Sequence, residues 1–114
     1  ADRHADLGAV DSCTPADLPD KGSFDLVVNA TSLGHYGSAP ALPPGLFAEN
    51  ALCYDMNYGA AAKPLAAHCS QIGVRYADGL SMLVGQAALS FEIWTGKTPD
   101  TGPVLEELRR AAGE

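Results

Sequence analysis

"YADGLSMLVGQAALSFEIW", running from Tyr76 to Trp94, decides how this chain is read. A polar turn opens directly into a long apolar segment with helical spacing. Leu80, Leu83, Val84, Ala87, Ala88, Phe91 and Trp94 recur at that spacing and form the expected packing face. Gly79, Met82 and Gln86 stand at intervals of three and four, so they share a second stripe. This stripe begins at the expected helix N-terminus, where free N–H groups and the helix dipole favour an anionic or strongly polar ligand. Glycine there lets a ligand approach the backbone. Methionine one turn on offers a soft apolar contact, and glutamine offers both a donor and an acceptor. The pattern alone leaves two readings open: a ligand-facing stripe, or a buried helix with one satisfied glutamine. Gly85 is assigned only to close helix packing.

The flanking segments supply the rest of the fold. "VRYA" (Val74 to Ala77) is a short strand leading into the turn. "FDLVVNA" (Phe24 to Ala30) and "ALCYDM" (Ala51 to Met56) have apolar centres and read as buried strands. Pro64 opens a helix through Ile72, and Gly73 stands where helices take a C-terminal cap. Pro15 marks a helical turn over Thr14 to Leu18, Pro44 another to Ala48, and Val10 to Ser12 suits a short strand. A last helix, Thr101 to Ala112, directs Val104, Leu105, Leu108 and Ala112 toward the core. Strands alternating with helices at such spacings imply a three-layer α/β fold with a mostly parallel sheet. Ligands of such sheets bind beyond the carboxyl ends of the strands. Those ends are Asn29 to Ser32, Asp55 to Tyr58 and Ala77 to Gly79, and together they form the candidate site.

Composition narrows the function classes. A chain of 114 residues with 46% hydrophobic and 18% charged residues suits one soluble domain. A net charge of −7 argues against nucleic acid as a partner. No apolar run approaches the ~20 residues of a membrane span, and a cytoplasmic protein is the default. Cys13, Cys53 and Cys69 form no CxxC pair and read as reduced thiols. His4, His35 and His68 lack metal-ligand spacing. Asp25, Asp55 and Asp78 read as structural more readily than catalytic, with Asp78 a candidate cap for the long helix. No GxGxxG occurs, and "GAAAK" (Gly59 to Lys63) lacks the features of a phosphate loop.

Taken in order, "FDLVVNATSLG", "CYDMNY" followed by "KPL", and "YADGLSMLVGQAALSFEIW" resemble the cofactor-binding half of shikimate dehydrogenase. The resemblance covers the whole chain, and its last motif is the most specific. It implies an NADP-dependent oxidoreductase, with NAD as an alternative cofactor, that interconverts 3-dehydroshikimate and shikimate on the route to chorismate and aromatic amino acids. The implied fold is a partial Rossmann-like domain lacking its first βαβ portion, with residues 83–114 forming helices that pack toward a substrate domain. Asn29, Ala30, Thr31, Ser32, Met56, Gly79 and Met82 would meet the cofactor, and Tyr58 and Gln86 the substrate. The catalytic lysine and aspartate of the family belong to an N-terminal substrate domain outside these residues. The 114 residues alone are therefore expected to be inactive. Lys63 stands where the family usually has threonine, which weakens the cap of the following helix.

The opening "ADRHADLGAV" reads as the tail of a helix, a glycine stop and a strand, so the polypeptide is expected to extend upstream. Rival readings are a quinate/shikimate dehydrogenase using NAD and a non-catalytic α/β module for binding or assembly. An uncovered sheet edge would also let two copies pair as a homo-oligomer.

Overall fold

The computed structural model describes residues 2–114. Three parallel strands lie in the order β1 (Phe24–Asn29), β2 (Phe47–Asp55) and β3 (Arg75–Ala77). Helix α1 (Lys63–Ile72) connects β2 to β3, helix α2 (Leu80–Thr95) follows β3, and α3 (Thr101–Ala111) closes the chain. Short 3-10 turns at Pro15–Asp20, Leu33–Tyr36, Pro44–Leu46 and Gly59–Ala62 shape the connections. The fold is the partial, mostly parallel α/β arrangement expected from the alternation of elements.

Local chemistry explains the boundaries. Pro64 suits the first turn of α1, and Gly73 ends it with φ 72°, a conformation glycine adopts without steric penalty. As the lysine at position 63 foreshadows, no side chain caps that helix. Thr14 and Asp17 form a reciprocal capping box on the Pro15–Asp20 turn. Asp100 accepts from the Gly102 N–H to start α3. The β1–β2 register slips between Phe24 and Leu26, and Asn50 takes up the irregularity with φ 61°. Asparagine tolerates that left-handed conformation better than most residues. The Arg75 side chain donates to the Asn50 carbonyl at 2.6 Å and so links this irregularity to β3.

One face of the sheet carries the core. Leu42, Leu46, Cys53, Leu65 and Cys69 pack together, flanked by Val27, Phe47 and Tyr76. Each leucine so buried contributes about 2 kcal/mol. His68 on α1 meets the Leu42 carbonyl at 2.8 Å, which holds the loop before β2 against the helix.

Several expectations fail where covering partners are lacking. Residues 10–12 form no strand, and their side chains are exposed. The turn at Asp2–His4 is 3-10, and Ala1 of the expected helix tail lies outside the described residues. β1 starts at Phe24 as expected and ends at Asn29, one residue before Ala30, yet it is not a buried strand. Leu26 and Val28 are 56% and 52% exposed because no described residue covers that face of β1. On α2 only Leu80 and Val84 are buried, while Phe91 is exposed and Trp94 is 82% exposed. Val104 and Leu108 of α3 are also exposed, and line an apolar groove of 440 Å³ against α2 instead of entering the core.

The thiols have separate fates. Burial, then contact with Cys69, pushes the Cys53 thiol up to about 12, and burial raises Cys69 as well. Cys13 is exposed. A raised thiol pKa favours folding fully below the ordinary value of 9.0, and that contribution fades as pH climbs toward about 12. At about pH 8, iodoacetamide is expected to modify Cys13 rapidly and the other two only after denaturation. Equal rates for all three thiols in the folded protein would contradict this packing.

Candidate functional site

The carboxyl ends of the strands converge through one buried side chain. Asp55, the last residue of β2, is 0% exposed. Its Oδ1 accepts from Asn29 Nδ2 at 3.0 Å, from the Asn57 backbone N–H at 3.0 Å and from Asn57 Nδ2 at 2.9 Å. Its Oδ2 accepts from the Tyr76 hydroxyl at 3.0 Å. All three strands thus meet at this carboxylate. Stripping water from a carboxylate costs several kcal/mol, and hydrogen bonds to a charged group return on the order of 2 kcal/mol each. The network is favourable only when complete.

The same side chains shape the chain beyond the strands. Asn29 Oδ1 accepts from the Thr31 N–H at 3.0 Å and from the Thr31 hydroxyl at 2.8 Å, folding the β1 exit back on itself. Asn57 Nδ2 also donates to the Thr31 carbonyl at 3.1 Å, tying the β1 exit to the β2 exit. Tyr76 makes a second contact with the Ala62 carbonyl at 3.2 Å. Burial first, and then the adjacent Asp55 carboxylate, push the Tyr76 hydroxyl well above its ordinary range, so it remains a donor. Its share of stability is complete below the ordinary tyrosine value of 10.0 and declines above it.

Two glycines permit close contact at this rim. At Gly79 an added Cβ would lie 2.3 Å from the Met56 carbonyl oxygen, and the Gly79 N–H donates to the Asn57 carbonyl at 2.9 Å. At Gly34 an added Cβ would lie 1.9 Å from the Ala61 carbonyl oxygen, which presses the Leu33–Tyr36 turn against the Gly59–Ala62 turn. The β2 and β3 exits therefore touch backbone to backbone, with no room for a methyl group.

The residues singled out from sequence divide into two groups. Asn29, Thr31 and Gly79 are part of this framework, with Asn29 and Gly79 buried. Ala30, Ser32, Met56, Tyr58, Met82 and Gln86 are exposed around it. Met82 and Gln86 follow Gly79 along α2 on a stripe distinct from buried Leu80 and Val84. The N-cap of α2 is Gly79, not Asp78; Asp78, one residue earlier, accepts from the Leu80 N–H at 3.2 Å. Asp55 is structural, in keeping with its sequence reading. Asn57, inside the Asp55 to Tyr58 strand end, and Tyr76, just before the Ala77 to Gly79 end, are not singled out by the sequence. Polar residues at a strand end beside an apolar strand were the available signal. The apolar groove between α2 and α3 does not include the rim residues, whereas a second pocket of 450 Å³ is lined by Tyr76, Ala77, Asp78, Ser81 and Arg109.

Replacing Asp55 with alanine strands the amides of Asn29 and Asn57 and is expected to cost about 3 kcal/mol of stability. Asp55→Asn retains one acceptor oxygen, and Tyr76 can donate to Ala62 alone, so its cost should be smaller. Thermal unfolding that ranks asparagine as costlier than alanine would contradict the network.

Comparison with known proteins agrees with this geometry. Residues 79–109 match the family described as Shikimate 5'-dehydrogenase C-terminal domain. A shikimate dehydrogenase (NADP(+)) of Aromatoleum aromaticum is 52% identical over 108 residues, which are 94% of this chain and 38% of that protein. The crystal structure of a shikimate 5-dehydrogenase from Thermus thermophilus in complex with shikimate aligns with 90% of this chain and 37% of its own, at 32% identity and TM-score 0.65. Its complex with NADP(H) and shikimate aligns with 87% of this chain and 37% of its own, at 31% identity and TM-score 0.60. An Ael1 enzyme from Pseudomonas putida aligns at 41% identity and TM-score 0.68, over 78% of this chain and 33% of that one. The chain thus spans about two fifths of the curated relative it matches. Shared sequence along nearly its full length, together with the matched C-terminal segment and fold, places the chain in the shikimate dehydrogenase family.

Proposed function

We propose that these residues form the C-terminal part of the cofactor-binding domain of an NADP-dependent shikimate dehydrogenase, which reversibly reduces 3-dehydroshikimate to shikimate. The observation that carries this reading is the rim itself. Gly79, with no space for a side chain, lies against Met56, while Tyr58, Met82 and Gln86 are exposed around it. The relative crystallised with NADP(H) and shikimate supports both the cofactor and the substrate.

The residues fit such a cofactor. Gly79 lets the β2 and β3 exits close together at the start of α2, beneath the exposed residues that would meet the ligand. Asn29, Ala30, Thr31 and Ser32 lie where the dinucleotide would run, and Met56 and Met82 would keep its nicotinamide face dry. NADP, when bound, supplies the hydride chemistry. Tyr58 and Gln86 would orient a polyhydroxylated ring by donating and accepting hydrogen bonds, so that the reacting carbons are held close. Residues 83–114 would pack toward the substrate domain, and the Lys–Asp pair that handles the proton would come from there. A cytoplasmic location is part of this reading; among the described residues, no helix is long and apolar enough to cross a membrane.

In the full-length protein, shikimate with NADP should generate the absorbance of reduced nicotinamide, and shikimate with NAD should be the poorer pair. The 114 residues alone should give no turnover. Gln86→Ala and Tyr58→Phe should each lower kcat/KM for shikimate by roughly 10- to 100-fold with little change in thermal stability. Unaltered kinetics in both variants would remove them from the site.

A further inference from the structure

Helix α3 buries none of its residues fully, yet one of its side chains reaches the rim. Arg109 grips Asp78 from a position 31 residues later in the chain, with Nη2 3.1 Å from Oδ1 and Nη1 3.3 Å from Oδ2. The Asp78 side chain is 9% exposed, so this is a largely buried carboxylate held by a half-exposed guanidinium. Its Oδ1 also accepts from the Leu80 N–H at the start of α2. Gly79 lies between these two residues. Its N–H is bonded to Asn57, and there is no space for a Cβ between it and the Met56 carbonyl. A continuous line of contacts therefore runs from α3 through Asp78 to the close backbone approach of Gly79 and Met56.

We propose that Arg109 is a positioning residue. By fixing Asp78 it sets the orientation of the Gly79 turn and hence how closely a nicotinamide dinucleotide can approach, which rests on the function proposed above. A planar guanidinium that contacts both carboxylate oxygens fixes the rotation of that carboxylate, whereas an ammonium gives a point contact. Glu114 accepts from Arg109 Nη1 at 2.6 Å, so the end of the chain steadies the same fork. An ion pair that merely anchored α3 would change how readily the helix detaches and leave the turn before α2 untouched.

The test uses the full-length protein, its Arg109→Met variant and its Arg109→Lys variant, with amide hydrogen exchange and direct NADP titration as readouts. In the methionine variant, the Gly79 and Leu80 amides should exchange at least about tenfold faster, while Val27 and Cys53 in the sheet keep their rates. NADP should bind about three- to tenfold more weakly, and the lysine variant should fall between the two. Unchanged exchange at Gly79 and Leu80 overturns the proposal whatever happens to binding. A uniform rise that includes the sheet amides also overturns it, because Arg109 would then act on global stability alone. Faster local exchange in a protein that binds no NADP even as wild type supports the positioning role and overturns the proposed function.

Discussion

The carboxylate of Asp55 sits at the end of the central strand with no exposure to water, and the rim of this domain is organised around it. Such a group is tolerated only if donors surround it, and here they come from β1, from the residues after β2 and from β3. That requirement does more than stabilise. It dictates where the chain goes after each strand, because Asn29 and Asn57 use their remaining capacity to bind Thr31. The exits are consequently built as one rigid piece of backbone before any ligand arrives.

Rigidity of this kind suits hydride transfer, in which small displacements of the reacting atoms are costly. Asn29, Asp55, Asn57 and Gly79 are buried, whereas Ala30, Ser32, Met56, Tyr58, Met82 and Gln86 stand exposed around them. Gly79 joins the two sets. Its missing side chain lets the β3 exit rest on Met56, and it stands at the N-terminus of α2, beside exposed Met82 and Gln86. Asp78 and Arg109 extend the same logic outward to α3.

Sequence made the local features legible. The three strands and the proline start and glycine stop of α1 follow from residue preferences and periodicity. The rim also followed, because parallel strands place their carboxyl ends together. What sequence could not show was the joint use of Asn29, Asp55, Asn57 and Tyr76, since residues up to 26 positions apart form those bonds and no local pattern encodes the pairing. Burial was misread for a related reason. Leu26, Val28 and Trp94 have core-like character, but exposure depends on what covers them, and the described residues provide no cover. Their relatives are much longer, with this chain spanning 38% of the Aromatoleum protein.

The most direct test of the central claim is amide chemical-shift mapping of the full-length protein during titration with NADP. A preformed rim predicts that perturbations concentrate at Asn29 to Ser32, Met56, Gly79 and Met82, while the buried amide of Cys53 barely moves. Saturable binding that leaves those positions unshifted and perturbs the α2–α3 groove or the Asp11–Lys21 region instead would contradict the account.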